Sequence, residues 1–176
     1  MMKIVELNPN EYKGYEIEYE YITRFHYEVV IKKKKDIAIS IKKKKIKKTE
    51  KKFNDHLFAD YIENPKVFAI FDKKKMIGVI EGSLESWNNR YRIWNFVVDK
   101  RYRKEGYGKE LFTHMVSHAK KEGARALVLE VQSCNEPAIS FYMKRGLHFI
   151  GMDTMSYTNN DIESKEVRLE FGMRLN

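Results

Sequence analysis

The stretch FVVDKRYRKEGYGKELF, Phe96 to Phe112, changes the character of the chain within seventeen residues. Phe96-Val97-Val98 closes an apolar run that predicts a strand over Tyr91 to Val98. Asp99 to Gly108 is charged and carries Gly106 and Gly108, as a loop would. From about Lys109 to Glu122 the period becomes helical, with Leu111, Phe112, Met115, Val116 and Ala119 on one face and Gly123 placed to end the element. A loop that leaves a strand and opens a helix aims several backbone N–H groups in one direction, at the positive end of the helix dipole. Glycines let that backbone approach an anion closely. A pyrophosphate is the natural guest; a turn with two glycines that binds nothing is the plain alternative. No Gly-Lys-Ser/Thr follows, so the loop is not a P-loop. Glu130, 22 residues beyond Gly108, stands where a dinucleotide site keeps its ribose-binding acid, but Leu111 occupies the place of the third glycine.

Outward from this loop the pattern is mixed. Val67 to Phe71 and Met76 to Leu84 read as strands joined by the turn Asp72-Lys73-Lys74-Lys75, and Ser86 to Asn89 turns into Tyr91 to Val98, so three strands form an antiparallel meander. Ala126 to Val131 is an apolar strand. Strand, loop, helix and strand make a βαβ unit, which predicts that Tyr91–Val98 and Ala126–Val131 are parallel neighbours. A short helix is predicted over Pro137 to Lys144, stopped by Gly146. Phe149 to Tyr157 and Glu166 to Leu175 should pair around Thr158-Asn159-Asn160-Asp161. Upstream, Lys3 to Leu7 reads as a strand, Tyr12 to Val30 fits helix or strand, and Asn54 to Glu63 fits a short helix capped by Asn54 and ended before Pro65.

A length of 176 residues suits one domain spanning 1–176. The net charge of +9 is not spread evenly: twelve lysines between Lys32 and Lys52 stand against Asp36 and Glu50, so this segment carries 12 − 2 = +10 and the rest 9 − 10 = −1. The protein reads as a near-neutral domain with a lysine-rich hairpin at about 31–52, in which Ile37, Ile39 and Ile41 alternate with Ala38 and Ser40. Lysines on an exposed strand resist edge-to-edge association. Arginine and aromatic residues are not interleaved with them, so the segment does not predict a nucleic-acid partner. Cys134 is the single cysteine, which excludes an internal disulfide and argues against a metal site. No apolar run spans a bilayer, and Met1 to Glu11 has no signal-peptide core, so the expectation is a cytoplasmic protein without a membrane partner.

Downstream residues join the loop into a longer pattern. Arg103-Lys104-Glu105-Gly106-Tyr107-Gly108 matches Arg-x-x-Gly-x-Gly, and Asn135, Ala138, Phe141-Tyr142 and Gly146 match Asn-x-x-Ala-x-x-Phe-Tyr-x-x-x-Gly. Together they resemble the GNAT family, the Gcn5-related N-acetyltransferases, over about Phe68 to Leu175; residues 1–65 are more divergent. Trp87-Asn88-Asn89, Leu129-Glu130-Val131-Gln132 and Gly151 to Tyr157 are similar to the streptothricin acetyltransferases within that family.

The resemblance implies an α/β fold of the α+β type. Its mixed, mostly antiparallel central sheet is flanked by helices, and a splayed parallel strand pair binds coenzyme A. It implies an enzyme that moves an acetyl group from acetyl-CoA to a primary amine by direct attack in a ternary complex. The acceptor would be a small-molecule amine, first a streptothricin-type antibiotic, which would make the protein a resistance factor. A polyamine, an amino acid or a protein amine is the alternative acceptor, and a non-catalytic coenzyme A-binding interaction module the alternative function. Members of the family often dimerise, so a homodimer is open.

By the same resemblance, the backbones of Phe96, Val97 and Val98 would pair with the pantetheine arm and offer an N–H to the thioester oxygen. Arg103, Lys104, Glu105, Gly106, Tyr107, Gly108 and Lys109 would hold the pyrophosphate. Asn135 would bond the pantetheine amides, or simply cap the next helix. Tyr142 would protonate the leaving thiolate, since a phenol of pKa about 10 suits a thiol of about 8.5; the alternative is a packed helix tyrosine. The base is open between Glu81 as first choice, Glu85, Glu130 and a chain of waters. Streptothricin acetyltransferases commonly carry Ile-Glu-Asp before the apolar end of this strand, where the present chain has Ile93-Trp94-Asn95. Trp94 would then wall the acceptor site or pack against a helix. No metal is implied.

Overall fold

A computed structural model describes residues 2–33 and 35–175. In chain order the elements are β1 (Ile4–Glu6), α1 (Pro9–Tyr12), β2 (Glu16–Lys33), β3 (Ile37–His56), β4 (Lys66–Asp72), β5 (Lys75–Glu85) and β6 (Arg90–Val98). A 3₁₀ turn (Lys100–Tyr102) follows, then α2 (Tyr107–Lys121), β7 (Ala126–Gln132), α3 (Glu136–Met143), β8 (His148–Asp153), α4 (Asp161–Ser164) and β9 (Arg168–Arg174). The chain packs as two compact units. The first comprises Met1–Glu20, Lys52–Leu129 and Arg174–Asn176; the second comprises Tyr21–Lys51 and Glu130–Met173.

The first unit is built on the strand order β1-β4-β5-β6-β7. Neighbours from β1 through β4 and β5 to β6 pair antiparallel, and β6 pairs parallel with β7 from Arg90 opposite Ala126 to Ile93 opposite Leu129. The meander and the βαβ unit are both present as expected. Alternation along β4 explains the layering: Val67 and Ala69 face a core with Leu7, Ile17, Leu57, Phe58 and Val79, while Phe68 sits edge-on to His114 and His118 of α2. Leu111, Phe112, Met115 and Ala119 are the buried stripe of α2, which packs on β4, β5 and β6. The register of β5 on β6 shifts between Glu81 and Gly82, so Trp94 is an extra, bulged residue. Gly82 is required there. A Cβ at this position would lie 2.6 Å from the Tyr91 ring and 2.9 Å from the Arg92 carbonyl oxygen.

The second unit holds α3, the hairpin β8–β9 and the distal parts of β2 and β3, which form a two-stranded sheet. Tyr21, Ile139, Tyr142, Leu147, Leu169 and Phe171 are among its buried side chains. The backbone stitches its segments together: Tyr27 N–H donates to the Ser133 carbonyl at 2.8 Å, and Ser133 N–H to the Val167 carbonyl at 2.8 Å.

Three expectations need correction. The helix over Asn54 to Glu63 does not form. β3 runs to His56, and 57–64 is a series of turns with Phe58 at φ 57°. Ten residues are too few for an autonomous helix, whereas β2 supplies cross-strand partners: Tyr19 stacks on Phe53 at 4.8 Å, Lys52 pairs with Glu18 at 2.7 Å, and Leu57 N–H donates to the Tyr15 carbonyl. The same pairing resolves Tyr12–Val30 in favour of strand. The helix expected from Lys109 begins at Tyr107, inside the glycine loop. The last hairpin is shorter than Phe149–Tyr157 with Glu166–Leu175, and its connection contains α4 in place of a simple polar turn. Asp161 causes this. It is fully buried and accepts from Tyr157 N–H at 3.0 Å, Thr158 N–H at 2.7 Å and the Thr158 hydroxyl at 2.8 Å. Burial would raise its carboxyl, but the hydrogen bonds together outweigh burial and hold it below the ordinary value.

Candidate functional site

In the first unit, β6 delivers the chain into the glycine loop. Asp99 turns the corner: its N–H donates to the Ile77 carbonyl at 2.8 Å, and its carboxylate accepts from Arg101 N–H at 3.0 Å and from Lys75. Tyr102 ties the loop to the β4–β5 turn by donating to Asp72 at 2.7 Å. Lys104 at φ 70° and Gly106 at φ 101° turn the backbone left-handed on either side of Glu105. Gly106 has open space where a Cβ would be, so its backbone conformation, not crowding, demands glycine. It is the N-cap of α2, and no side chain caps the first turn. The leading N–H groups of this fifteen-residue helix therefore face outward at its positive end. Exposed Lys104 and Lys109 add positive charge and exposed Glu105 subtracts from it. Arg103 is engaged structurally. Its Nε donates to the Val98 carbonyl at 2.8 Å, bracing the loop on the strand end.

Beyond the Ile93–Leu129 pair, Trp94 to Val98 run past the parallel register, the edge geometry that a splayed strand pair requires. A chain of hydrogen bonds fixes this segment. Phe58 N–H and Asn95 Nδ2 each donate to one oxygen of Glu81 at 2.7 Å; the Tyr19 hydroxyl donates to Asn95 Oδ1 at 2.7 Å and accepts from Phe96 N–H at 3.1 Å. Glu81 is fully buried and Asn95 is buried. Burial pushes the Glu81 carboxyl above its ordinary value, against the two hydrogen bonds, which favour the ionised form. The amide at 95 explains the missing acid at that position. An aspartate there would set two carboxylates face to face, whereas asparagine donates to Glu81.

The other carboxylates are engaged differently. Glu85 accepts from Arg92 Nε at 2.9 Å and Arg90 Nε at 3.1 Å. Burial would raise it, but the two guanidiniums prevail and lower it. Trp94 is held by Nε1–H donating to Ser83 Oγ at 2.9 Å, with Tyr61 edge-on at 5.9 Å and the Arg92 guanidinium 5.4 Å from its ring centre. The sequence did not single out Tyr19 or Tyr61. Both lie in the divergent 1–65 region, and only the fold brings them to β6.

In the second unit, Asn135 caps α3: its Oδ1 accepts from Ala138 N–H at 3.3 Å, and Pro137 follows in the first turn. The cap uses only the side-chain carbonyl. Tyr142 is buried on α3, edge-on to Phe141 at 5.6 Å, and burial pushes its phenol well above the ordinary value. A raised value makes this phenol a weaker acid than an ordinary tyrosine. Glu130 is paired with Arg168 at 2.7 Å. Cys134 is buried 3.3 Å from the Tyr21 hydroxyl, with its thiol raised by burial; it is a packed residue. Among the described residues no three His, Cys, Asp or Glu side chains gather as a metal site would need, and no helix is long and apolar enough to cross a membrane.

The model of the acetyltransferase (GNAT) family matches residues 37–149, well over half of the chain, and the chain belongs to that family. It is similar to the streptothricin acetyltransferase of Streptomyces lavendulae, 33% identical over 90 residues that cover 51% of this chain and 48% of that protein. Streptothricin acetyltransferase A of Bacillus subtilis (strain 168) is 34% identical over 110 residues, covering 60% and 62%. These matches span about half to three-fifths of the relatives' length. Among solved structures, a candidate streptothricin acetyltransferase from Bacillus anthracis str. Ames, in complex with acetyl coenzyme A, superposes with a TM-score of 0.75 at 25% identity, covering 100% of this chain and 98% of that one.

Proposed function

We propose that this protein transfers an acetyl group from acetyl-CoA to a primary amine by direct attack, with a streptothricin-type antibiotic as first acceptor. The observation that carries the reading is the uncapped start of α2, preceded by left-handed Lys104 and Gly106, at the end of a bulged strand. A pyrophosphate would accept hydrogen bonds from the backbone of Arg103 to Lys109. The edge of Phe96 to Val98 would take the arm as an added strand, with Phe96 N–H for the acyl oxygen. Asn135 would offer its amide N–H groups to the arm while its carbonyl caps α3. The amine nitrogen forms the new bond to carbon as the C–S bond breaks, and Tyr142 donates its proton to the departing sulfur. Glu81 is sealed from solvent with both oxygens engaged, so its role in this reading is to hold the bulge; the amine's proton leaves through water. Acetyl-CoA supplies the activated acyl group.

An amine panel with acetyl-CoA, read as free thiol release, tests this. Turnover is expected with streptothricin, and Tyr142→Phe should lower kcat by about a hundredfold or more while keeping coenzyme A binding. Turnover only with polyamines or an N-terminal peptide would move the acceptor. Coenzyme A binding without turnover on any amine would favour the interaction module.

A further inference from the structure

Tyr19 lies near the start of β2, outside every motif of the sequence, yet its hydroxyl reaches the reacting edge of β6. It bridges two groups: it donates to Asn95 Oδ1 at 2.7 Å and accepts from Phe96 N–H at 3.1 Å. Its ring is stacked on Phe53 at 4.8 Å with an interplanar angle of 7°, and Asn95 is in turn held by Glu81. The hydroxyl is therefore anchored from two sides and aimed at one backbone donor. That donor, Phe96 N–H, bonds the Tyr19 hydroxyl. It is also the donor that the proposed function gives to the acyl oxygen.

One N–H does not serve two oxygen acceptors at full strength. We propose that Tyr19 makes this edge sensitive to the acyl group: its hydroxyl and the acyl oxygen of acetyl-CoA compete for Phe96 N–H, so that coenzyme A without its acyl group leaves the Tyr19 bond intact. The inference rests on reading the Phe96 edge as the acyl site. Competition weakens acetyl-CoA in the ground state. As the acyl oxygen gains negative charge it becomes the stronger acceptor and displaces the hydroxyl. After transfer, the hydroxyl regains the N–H and no acyl contact holds the spent coenzyme. Tyr19 yields one bond only, because the bond to Asn95 can persist while the ring stays on Phe53.

The test titrates wild type and Tyr19→Phe with acetyl-CoA, CoA and S-ethyl-CoA, a thioether that lacks the acyl oxygen. Loss of one hydrogen-bonding competitor should tighten acetyl-CoA by about three- to tenfold and leave CoA and S-ethyl-CoA within about twofold. An equal shift for all three, or weaker acetyl-CoA, overturns the inference. A second readout needs no variant: the amide signal of Phe96 in wild-type protein should move further with acetyl-CoA than with S-ethyl-CoA, which brings the same arm without the acyl oxygen. Equal movement with both overturns the inference and leaves the proposed function standing. No binding of either coenzyme form to wild type removes the proposed function and this inference together.

Discussion

Two regions of the molecule hold polar groups in opposite ways. Around the Trp94 bulge, buried Glu81 and Asn95 and partly buried Tyr19 form a short chain whose hydrogen bonds run between 2.7 and 3.1 Å. Along Lys42–Lys48, six lysines stand in solvent; Lys43 reaches Glu136 at 2.6 Å and Lys44 only comes within 4.0 Å of Glu28. The lysine segment dominates the charge of the chain, and the bulge barely registers in it. Yet the bulge has the larger hold on the structure, because a buried polar group without its partner is costly whereas a solvated charge is cheap to add or remove.

The sharpest break of this contrast is Glu81→Ala. It leaves Phe58 N–H and the Asn95 amide without their shared acceptor, and the expected loss is about 2 to 4 kcal/mol in urea unfolding. A loss under about 0.5 kcal/mol would put Glu81 on the same footing as a surface lysine.

A smaller effect follows from its titration. Because burial raises the Glu81 carboxyl, the folded protein holds this proton at a pH where the unfolded chain has released it. That contribution favours folding below the ordinary carboxylate range and fades as pH rises through the raised value. The thermal midpoint of Glu81→Gln relative to wild type should therefore climb with pH across that window; a flat difference would remove burial as the dominant influence on Glu81.

The smallest effect belongs to the ribbon. Replacing Lys42, Lys45, Lys47 and Lys48 together by glutamine should change stability by no more than about 0.5 kcal/mol. A larger loss in urea unfolding would show that these lysines make contacts of structural weight.

Legibility along the chain follows the same divide between local and distant causes. The strand at Arg90–Val98, the glycine loop, α2 and the parallel neighbour β7 were readable because each is written in adjacent residues: an apolar run, two glycines, a helical stripe, a second apolar run. Asn135 was readable as a cap because the residues it serves lie three positions on. Asn54 to Glu63 misled because its helix signals are local while the partners of this stretch and its approach, Tyr15, Glu18 and Tyr19, are more than thirty residues away. Asp161 looked like a turn residue. Its buried carboxylate and the short helix it nucleates depend on burial that no window of sequence displays.

Periodicity and spacing alone specified the meander, the βαβ crossover and the glycine loop that opens α2, since backbone geometry and side-chain period are properties of neighbours; the family came from the resemblance of residues between Arg103 and Gly146. Folding in three dimensions decided that Asn95 would face Glu81, that Tyr19 would reach Phe96 N–H, that Arg103 would brace Val98, and that β3 would continue to His56. Each of these depends on which distant group arrives to satisfy a donor or acceptor removed from water, and burial makes that choice only once the sheet has formed.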